Sequence, residues 1–208
     1  MKVTKFIHSC LLIEIDSKKI LIDPGVYTAN SNSLDLNLIN MLDYLLITHE
    51  HADHMHIPLV KEIVRMFPNI KIITNNSVKK ILGEERINSF ITGDDLIKIE
   101  DTRHEKVFGI NPPENLLFNI GNFLTHPGDS HSFENTNKVL ALPVQAPWCS
   151  LTEAVNLAEK LKPEIILPIH DWHWSYDARS SFYQRLEDYF KNLGIKFIPL
   201  IRGKEYEM

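Results

Sequence analysis

The 208-residue sequence predicts an α/β (α+β) fold in which two mixed β-sheets pack together with helices outside. Three observations lead there. A run of short strands opens the chain, strands interleaved with helices follow, and the second half then repeats the same kind of order. No Gly/Ser- or Pro-rich linker divides the chain, and its length suits one sizeable core, so residues 1–208 are expected to form a single domain.

The apolar bursts "KVTKFI", "CLLIEID" and "KKILIDPG" predict three consecutive strands in an antiparallel meander, the last stopped by Pro24 and Gly25. Residues 26–42 form a polar connection with a helix expected from Leu34. "YLLI" at 44–47 is a buried strand that feeds directly into "THEHADHMHIP". From Ile57 the residues Val60, Ile63, Val64 and Phe67 recur at helical spacing, with Pro58 in the first turn and Pro68 closing the segment. "IKIIT" is a strand and residues 76–82 a short helix. "LIKIED", "HEKVFGI", "NLLFNI", "NFLTH" and "KVLALPV" are read as further strands. Ser150 and Glu153 have capping-box spacing, and Leu151, Ala154, Val155, Ala158 and Leu161 line one helical face before Pro163. "EIILPIH" is a strand ending at His170. A last helix from about Asp177 carries Phe182, Leu186, Tyr189 and Phe190 inward and stops at Gly194, before the strand "IKFIPL".

Composition narrows the function classes. The chain is 44% hydrophobic and 24% charged, as soluble globular chains are, and its net charge of −5 argues against a broad nucleic-acid surface. No apolar run approaches the ~20 residues that span a bilayer, and "MKVTKFIHSCLLIEID" lacks the apolar stretch of a signal peptide, so a cytoplasmic location is expected. Cys10 and Cys149 cannot build a disulfide framework and are read as packing residues in a reducing compartment.

The chemistry concentrates in "YLLITHEHADHMHIP". Imidazole suits zinc and related ions, and a neighbouring carboxylate adds a harder ligand that can also take a proton. His49 and His51 alternate along extended chain, so both can converge on one ion, while Asp53 and His54, where the chain bends towards the helix, can face a second. His56 and His131 are left outside the site.

"THEHADH" resembles the H-x-H-x-D-H signature of the metallo-β-lactamase superfamily. "FIHSCLLIEIDSKKILIDPG", "HPGDS" and "LTEAVNLAEKLKPEIILPIH" are similar, in order, to the opening, the Gly-Asp segment and the last helix-strand of its branch containing ascorbate-phosphate lactonase and many metal-dependent hydrolases. The resemblance implies a four-layer αββα sandwich. It implies two divalent ions, with zinc as the default and manganese or iron as alternatives. His49 and His51 then match ligands of the first ion, Asp53, His54 and His170 match ligands of the second, and Asp129 matches the bridging carboxylate. His104 is preferred over His126 as the third ligand of the first ion. His8 is either a group facing the metal centre, able to hydrogen-bond substrate or a ligand carboxylate, or a satisfied core histidine.

A metal-dependent hydrolase follows, using a hydroxide shared by two ions on a small ester, lactone or phosphoester, with Asp53 orienting that hydroxide or accepting its proton. "LPVQAPWCSLTEA" stands where the family commonly has a Gly-rich stretch. Trp148 there and Trp172 beyond His170 are candidate pocket walls, with Arg179 a candidate anion receiver. Competing readings are an iron-dependent oxidoreductase, a nuclease or phosphodiesterase, and a non-catalytic metal-binding protein. The flavodiiron branch usually has Glu where this chain has His51, and the RNA-processing branches add arms or inserted domains. The partner expected is a small-molecule substrate, without nucleic acid or membrane, and homo-oligomerisation is left open.

Overall fold

The computed structural model describes residues 1–109 and 111–208. Its strands are β1 (Lys2–Lys5), β2 (Leu11–Ile15), β3 (Lys18–Ile22), β4 (Tyr44–Leu46), β5 (Lys71–Ile73), β6 (Ile97–Arg103), β7 (Glu114–Ile120), β8 (Leu124–His126), β9 (Val139–Pro143), β10 (Ile165–Ile169), β11 (Lys196–Phe197) and β12 (Glu205–Glu207). The helices are α1 (Val26–Ser31), α2 (Ile57–Met66), α3 (Asn76–Glu84), α4 (Leu151–Leu161) and α5 (Tyr176–Asn192).

One sheet runs β12-β1-β2-β3-β4-β5 and the other β11-β10-β9-β8-β7-β6. Each follows one plan. β1, β2 and β3 pair antiparallel before β4 and β5 join in parallel, and β6, β7 and β8 pair antiparallel before β9, β10 and β11 join in parallel. This is the repetition visible in the sequence.

Period-two side-chain alternation sorts the apolar residues into layers. Ile20, Ile22 and Leu46 point between the sheets, where they meet Leu116, Phe118, Ile120, Ala141 and Leu167. Leu21, Leu45 and Ile72 point the other way, onto Val60 and Ile63 of α2 and Val78 and Leu82 of α3. On the far face, Leu117, Leu140, Leu142 and Ile166 pack against Ala154 and Ala158 of α4 and Leu186 and Phe190 of α5. The result is helix, sheet, sheet, helix. It needs strands that are apolar on both faces, as parallel strands buried on both sides are.

The capping box of α4 forms as its spacing predicts: Ser150 Oγ accepts from the Glu153 N–H at 3.3 Å, and Glu153 Oε2 accepts from the Ser150 N–H at 2.7 Å. Other expectations need correction. The helix expected from Leu34 is only a 3-10 turn at Leu36–Leu38, because the Asp35 carboxylate takes the Asn37 N–H and holds a local turn, while a true helix forms earlier as α1. The strand expected at "HEKVFGI" is absent over residues 104–109, and Ile110 lies outside the described residues. The chain there bends inward, and the Glu105 N–H bonds to the Asp129 carbonyl instead of continuing a ladder. On α5 the inward face is Tyr183, Leu186 and Phe190. Phe182 lies beside Trp174 with ring centroids 4.9 Å apart, and Tyr189 is exposed with its hydroxyl on Glu159.

β1, β3 and β4 share one direction, as do β6, β8, β9 and β10. Their carboxyl ends carry, in order, His8, Asp23, His49, His104, Asp129, Trp148 and His170 just beyond the last paired residue. Loops at strand carboxyl ends are where open α/β sheets gather ligand-binding groups.

Candidate metal centre

Two groups of four side chains converge there: His49, His51, His104 and Asp129, and beside them His8, Asp53, His54 and His170. Within each group the donor atoms lie within 4.8 Å of one another. Asp129 joins the groups, with Oδ1 3.0 Å from His54 Nε2 and Oδ2 3.2 Å from His170 Nε2, 3.5 Å from His104 Nε2 and 3.9 Å from His49 Nε2.

The tautomers can be read from the partners. The Nδ1 atoms of His104 and His170 lie 2.6 Å from the carbonyls of Glu105 and Gln145, which can only accept, so each Nδ1 carries the proton. His54 Nδ1 donates to Asp23 Oδ2 at 2.8 Å. His49 Nδ1 lies 3.0 Å from Thr48 Oγ1, whose own proton goes to Asp23 Oδ2 at 2.8 Å, so that ring is also the donor. All four Nε2 atoms are buried without a hydrogen-bond partner and face the carboxylates. Leaving buried polar atoms unpaired costs about 1–3 kcal/mol each. Nδ1 held by an acceptor and Nε2 turned inward is the arrangement of metal-ligating imidazoles, so this donor set fits two divalent ions.

Local backbone geometry holds the pieces in place. The loop after β4 is clamped to the turn after β3, with the Val26 N–H on the Ala52 carbonyl at 2.7 Å and the His56 N–H on the Pro24 carbonyl at 3.2 Å. Gly25 permits this contact, since a Cβ there would sit 1.8 Å from the Asp53 carbonyl oxygen. Gly128, at φ +59°, lets the turn before Asp129 pass over Asn115, whose amide donates to the Pro127 carbonyl at 2.9 Å and accepts the Asp129 N–H at 3.2 Å. His8 and His170 both adopt left-handed backbone, φ 64° and 61°, and the His170 N–H bonds to the His8 carbonyl at 3.2 Å. Non-glycine residues in that conformation gather at functional sites.

Electrostatics separates the groups. Burial and the charge of His170 push His8 down to about 3, against the pull of Asp53, whose Oδ2 is 3.1 Å from His8 Nε2. Burial would raise Asp53, but the His8 hydrogen bond and the His54 charge outweigh it and hold the carboxyl well below its usual range. Asp129 is likewise held low, the charges of His170 and His54 overcoming burial. Burial lowers His49 and His51. His54 goes the other way, since Asp129 and Asp23 outweigh its burial and hold it well above the usual imidazole value.

The remaining predicted residues fall as follows. His126 belongs to neither group: its Nε2 donates to the Ser9 carbonyl at 3.2 Å and its Nδ1 accepts the Gly128 N–H at 3.3 Å. Trp148 gives its indole N–H to Asp129 Oδ2 at 3.2 Å and lines the cavity above the groups. Trp172 stacks on Tyr27, with centroids 3.9 Å and planes 6° apart. Arg179, a candidate anion receiver, is committed to Asp171, with Nε 3.0 Å from Oδ2 and Nη2 on the Asp171 and Trp174 carbonyls. Lys5 completes this buried ion group at 2.9 Å from Asp171 Oδ1. Against burial, Lys5 and Arg179 draw the Asp171 carboxyl down to about 2. Both cysteines are free and buried, with burial pushing the Cys149 thiol up to about 12.

Sequence reasoning missed Asp23, Asn115 and Tyr27 as site residues. Asp23 did carry a signal, a carboxylate ending a strand just before Pro24. Asn115 and Tyr27 carried none.

A family model described as a beta-lactamase superfamily domain matches residues 2–170. The Mycobacterium tuberculosis protein Rv0786c is 30% identical over 201 residues, covering 90% of this chain and 92% of its own. A UPF0173 protein of Pyrococcus furiosus is 25% identical over 209 residues, covering 90% and 91%. Among solved structures, Igni18, a metallo hydrolase of Ignicoccus hospitalis, superposes with a TM-score of 0.72 at 20% identity, over 100% of this chain and 98% of that one, which shows a shared fold. The paired sheets, the clustered donors and the family model agree: the chain belongs to the metallo-β-lactamase superfamily.

Proposed function

We propose that this protein is a single-domain, dinuclear metal-dependent hydrolase acting on a small ester, lactone or phosphoester. The observation that carries the reading is the set of four buried imidazoles whose Nδ1 protons are committed and whose Nε2 atoms converge, unpaired, on Asp129. On this reading His49, His51 and His104 would hold one ion and Asp53, His54 and His170 the other, with Asp129 a candidate ligand to both. Zinc suits the donors, and manganese and iron accept them too. When bound, such ions lower the pKa of water towards ~7 and polarise an electrophilic oxygen.

The chain's own groups do the rest. Asp53, with its side chain 24% exposed, lines the cavity and serves there as a proton acceptor. His8 donates to Asp53 Oδ2 and fixes its orientation, a role suited to an imidazole that stays neutral at physiological pH. Trp148 steadies Asp129 from the cavity side, and no serine or cysteine nucleophile is required. The Ignicoccus relative, described as a metallo hydrolase, supports the same class.

The test is turnover of ester, lactone and phosphoester probes by metal-loaded protein and by Asp129→Ala. Activity that disappears with a chelator and in the variant is the expected result. Turnover indifferent to both would refute the reading.

A further inference from the structure

The cavity over the two groups has a volume of about 240 Å³. Its floor is His51, Asp53, His104, Asp129 and His170, and its walls are Val26, Tyr27, Val107, Pro147, Trp148 and His173. Ligand pockets commonly run from about 300 Å³ upward, so this one takes a small molecule. At about 30 Å³ per water-sized group, it holds on the order of ten non-hydrogen atoms.

Charge sharpens this. No lysine or arginine lines the cavity among the described residues. Arg179, the candidate cation, spends its guanidinium on Asp171 and two carbonyls. The Val26 N–H at the start of α1 is already bonded to the Ala52 carbonyl. Sites that select phosphoesters usually supply Arg forks, Lys or free backbone N–H groups for the non-reacting phosphate oxygens. The polar side chains on this floor are imidazoles and carboxylates instead. The walls favour something flat and uncharged. Tyr27 is braced by its stack on Trp172, and Trp148 is braced by its N–H on Asp129 and by His131, whose ring centroid is 5.2 Å away.

Resting on the hydrolase reading, we propose that the substrate is a small uncharged carboxylic ester or lactone with a planar apolar part, not a phosphoester, and that Tyr27 and Trp148 select it. In the reaction the oxygen of water bonds to the acyl carbon as the acyl C–O bond breaks. One water proton goes to the leaving alkoxide, and the other is released as the acid ionises.

Phenyl acetate and phenyl phosphate test this directly, since they are nearly equal in size, share a leaving group and differ in charge. Metal-loaded protein is expected to favour phenyl acetate at least 100-fold in kcat/KM. Tyr27→Ala should raise KM for phenyl acetate about tenfold with metal content unchanged, and Tyr27→Phe should restore it. Preference for phenyl phosphate would overturn the substrate class and leave the hydrolase reading standing. Turnover of neither probe by protein holding two ions would overturn both.

Discussion

Asp23 Oδ2 lies 2.8 Å from His54 Nδ1, and both side chains are fully buried. The same carboxylate takes the Thr48 N–H and hydroxyl at 2.8 Å each, so one residue at the end of β3 orients the loop that carries four of the candidate ligands. In Asp23→Asn an amide donor can face the His54 Nδ1 proton, which disfavours the tautomer that leaves Nε2 free. Competition with a chromophoric chelator should show affinity for one ion falling about 10- to 100-fold. Unchanged affinity for both ions would contradict this orienting role.

His104 and His126 make a matched pair for mutagenesis. His104 Nε2 is unpaired and 3.5 Å from Asp129, whereas both ring nitrogens of His126 are used inside the fold. His104→Ala should lose metal while keeping its fold. His126→Ala should keep its metal and lose stability, by about 1–3 kcal/mol for the unsatisfied Ser9 carbonyl and the space left behind. Metal analysis and thermal unfolding of the two variants separate these outcomes, and a reversed pattern would exchange their roles.

Two glycines should respond oppositely to alanine. Gly25→Ala drives a Cβ into the backbone of Asp53, so the clamp between the β3 turn and the ligand loop must open, lowering both Tm and metal content. Gly83 lies within α3 with open space around its Cβ position, and Gly83→Ala should stabilise by about 0.5–1 kcal/mol. Equal Tm changes in the two variants would count against the clamp.

Acid stability should depend in part on Asp94. Burial opposes its ionisation, but Lys71 at 2.6 Å, the Ile97 N–H and the Tyr44 hydroxyl outweigh it and keep its folded pKa below the usual carboxylate value. A depressed folded pKa contributes stability above the unfolded value of about 3.9, and that contribution is lost as pH falls through the folded one. Because the pair is partly exposed, the effect is at most about 1 kcal/mol. Urea unfolding of Asp94→Asn at pH 7 and pH 3 should show its deficit shrinking with acid. A constant deficit would assign the residue a purely neutral capping role.

Much of this was legible because the signals were local. The β strands announced themselves by apolar bursts, α4 by its capping box, and half of the donor set by four residues within positions 49–54, between β4 and α2. What escaped depended on distance or on competition between local bonds. Asp23 and Asn115 matter only through residues far along the chain. α1 was missed because it lacks a side-chain cap and covers only six residues. β12 is mostly polar, three residues long and placed by its pairing with β1, which no reading of "EYE" could supply. Arg179 looked free in sequence because its partner, Asp171, becomes a buried anion only once Lys5 folds against it.

The most direct test of the central claim is elemental analysis of the purified full chain and of Asp129→Ala after equilibration with zinc or manganese. Two ions per chain, falling to one or none in the variant, is the result predicted by two donor groups joined through Asp129. A wild-type chain that takes up no ion, or only one, would contradict it.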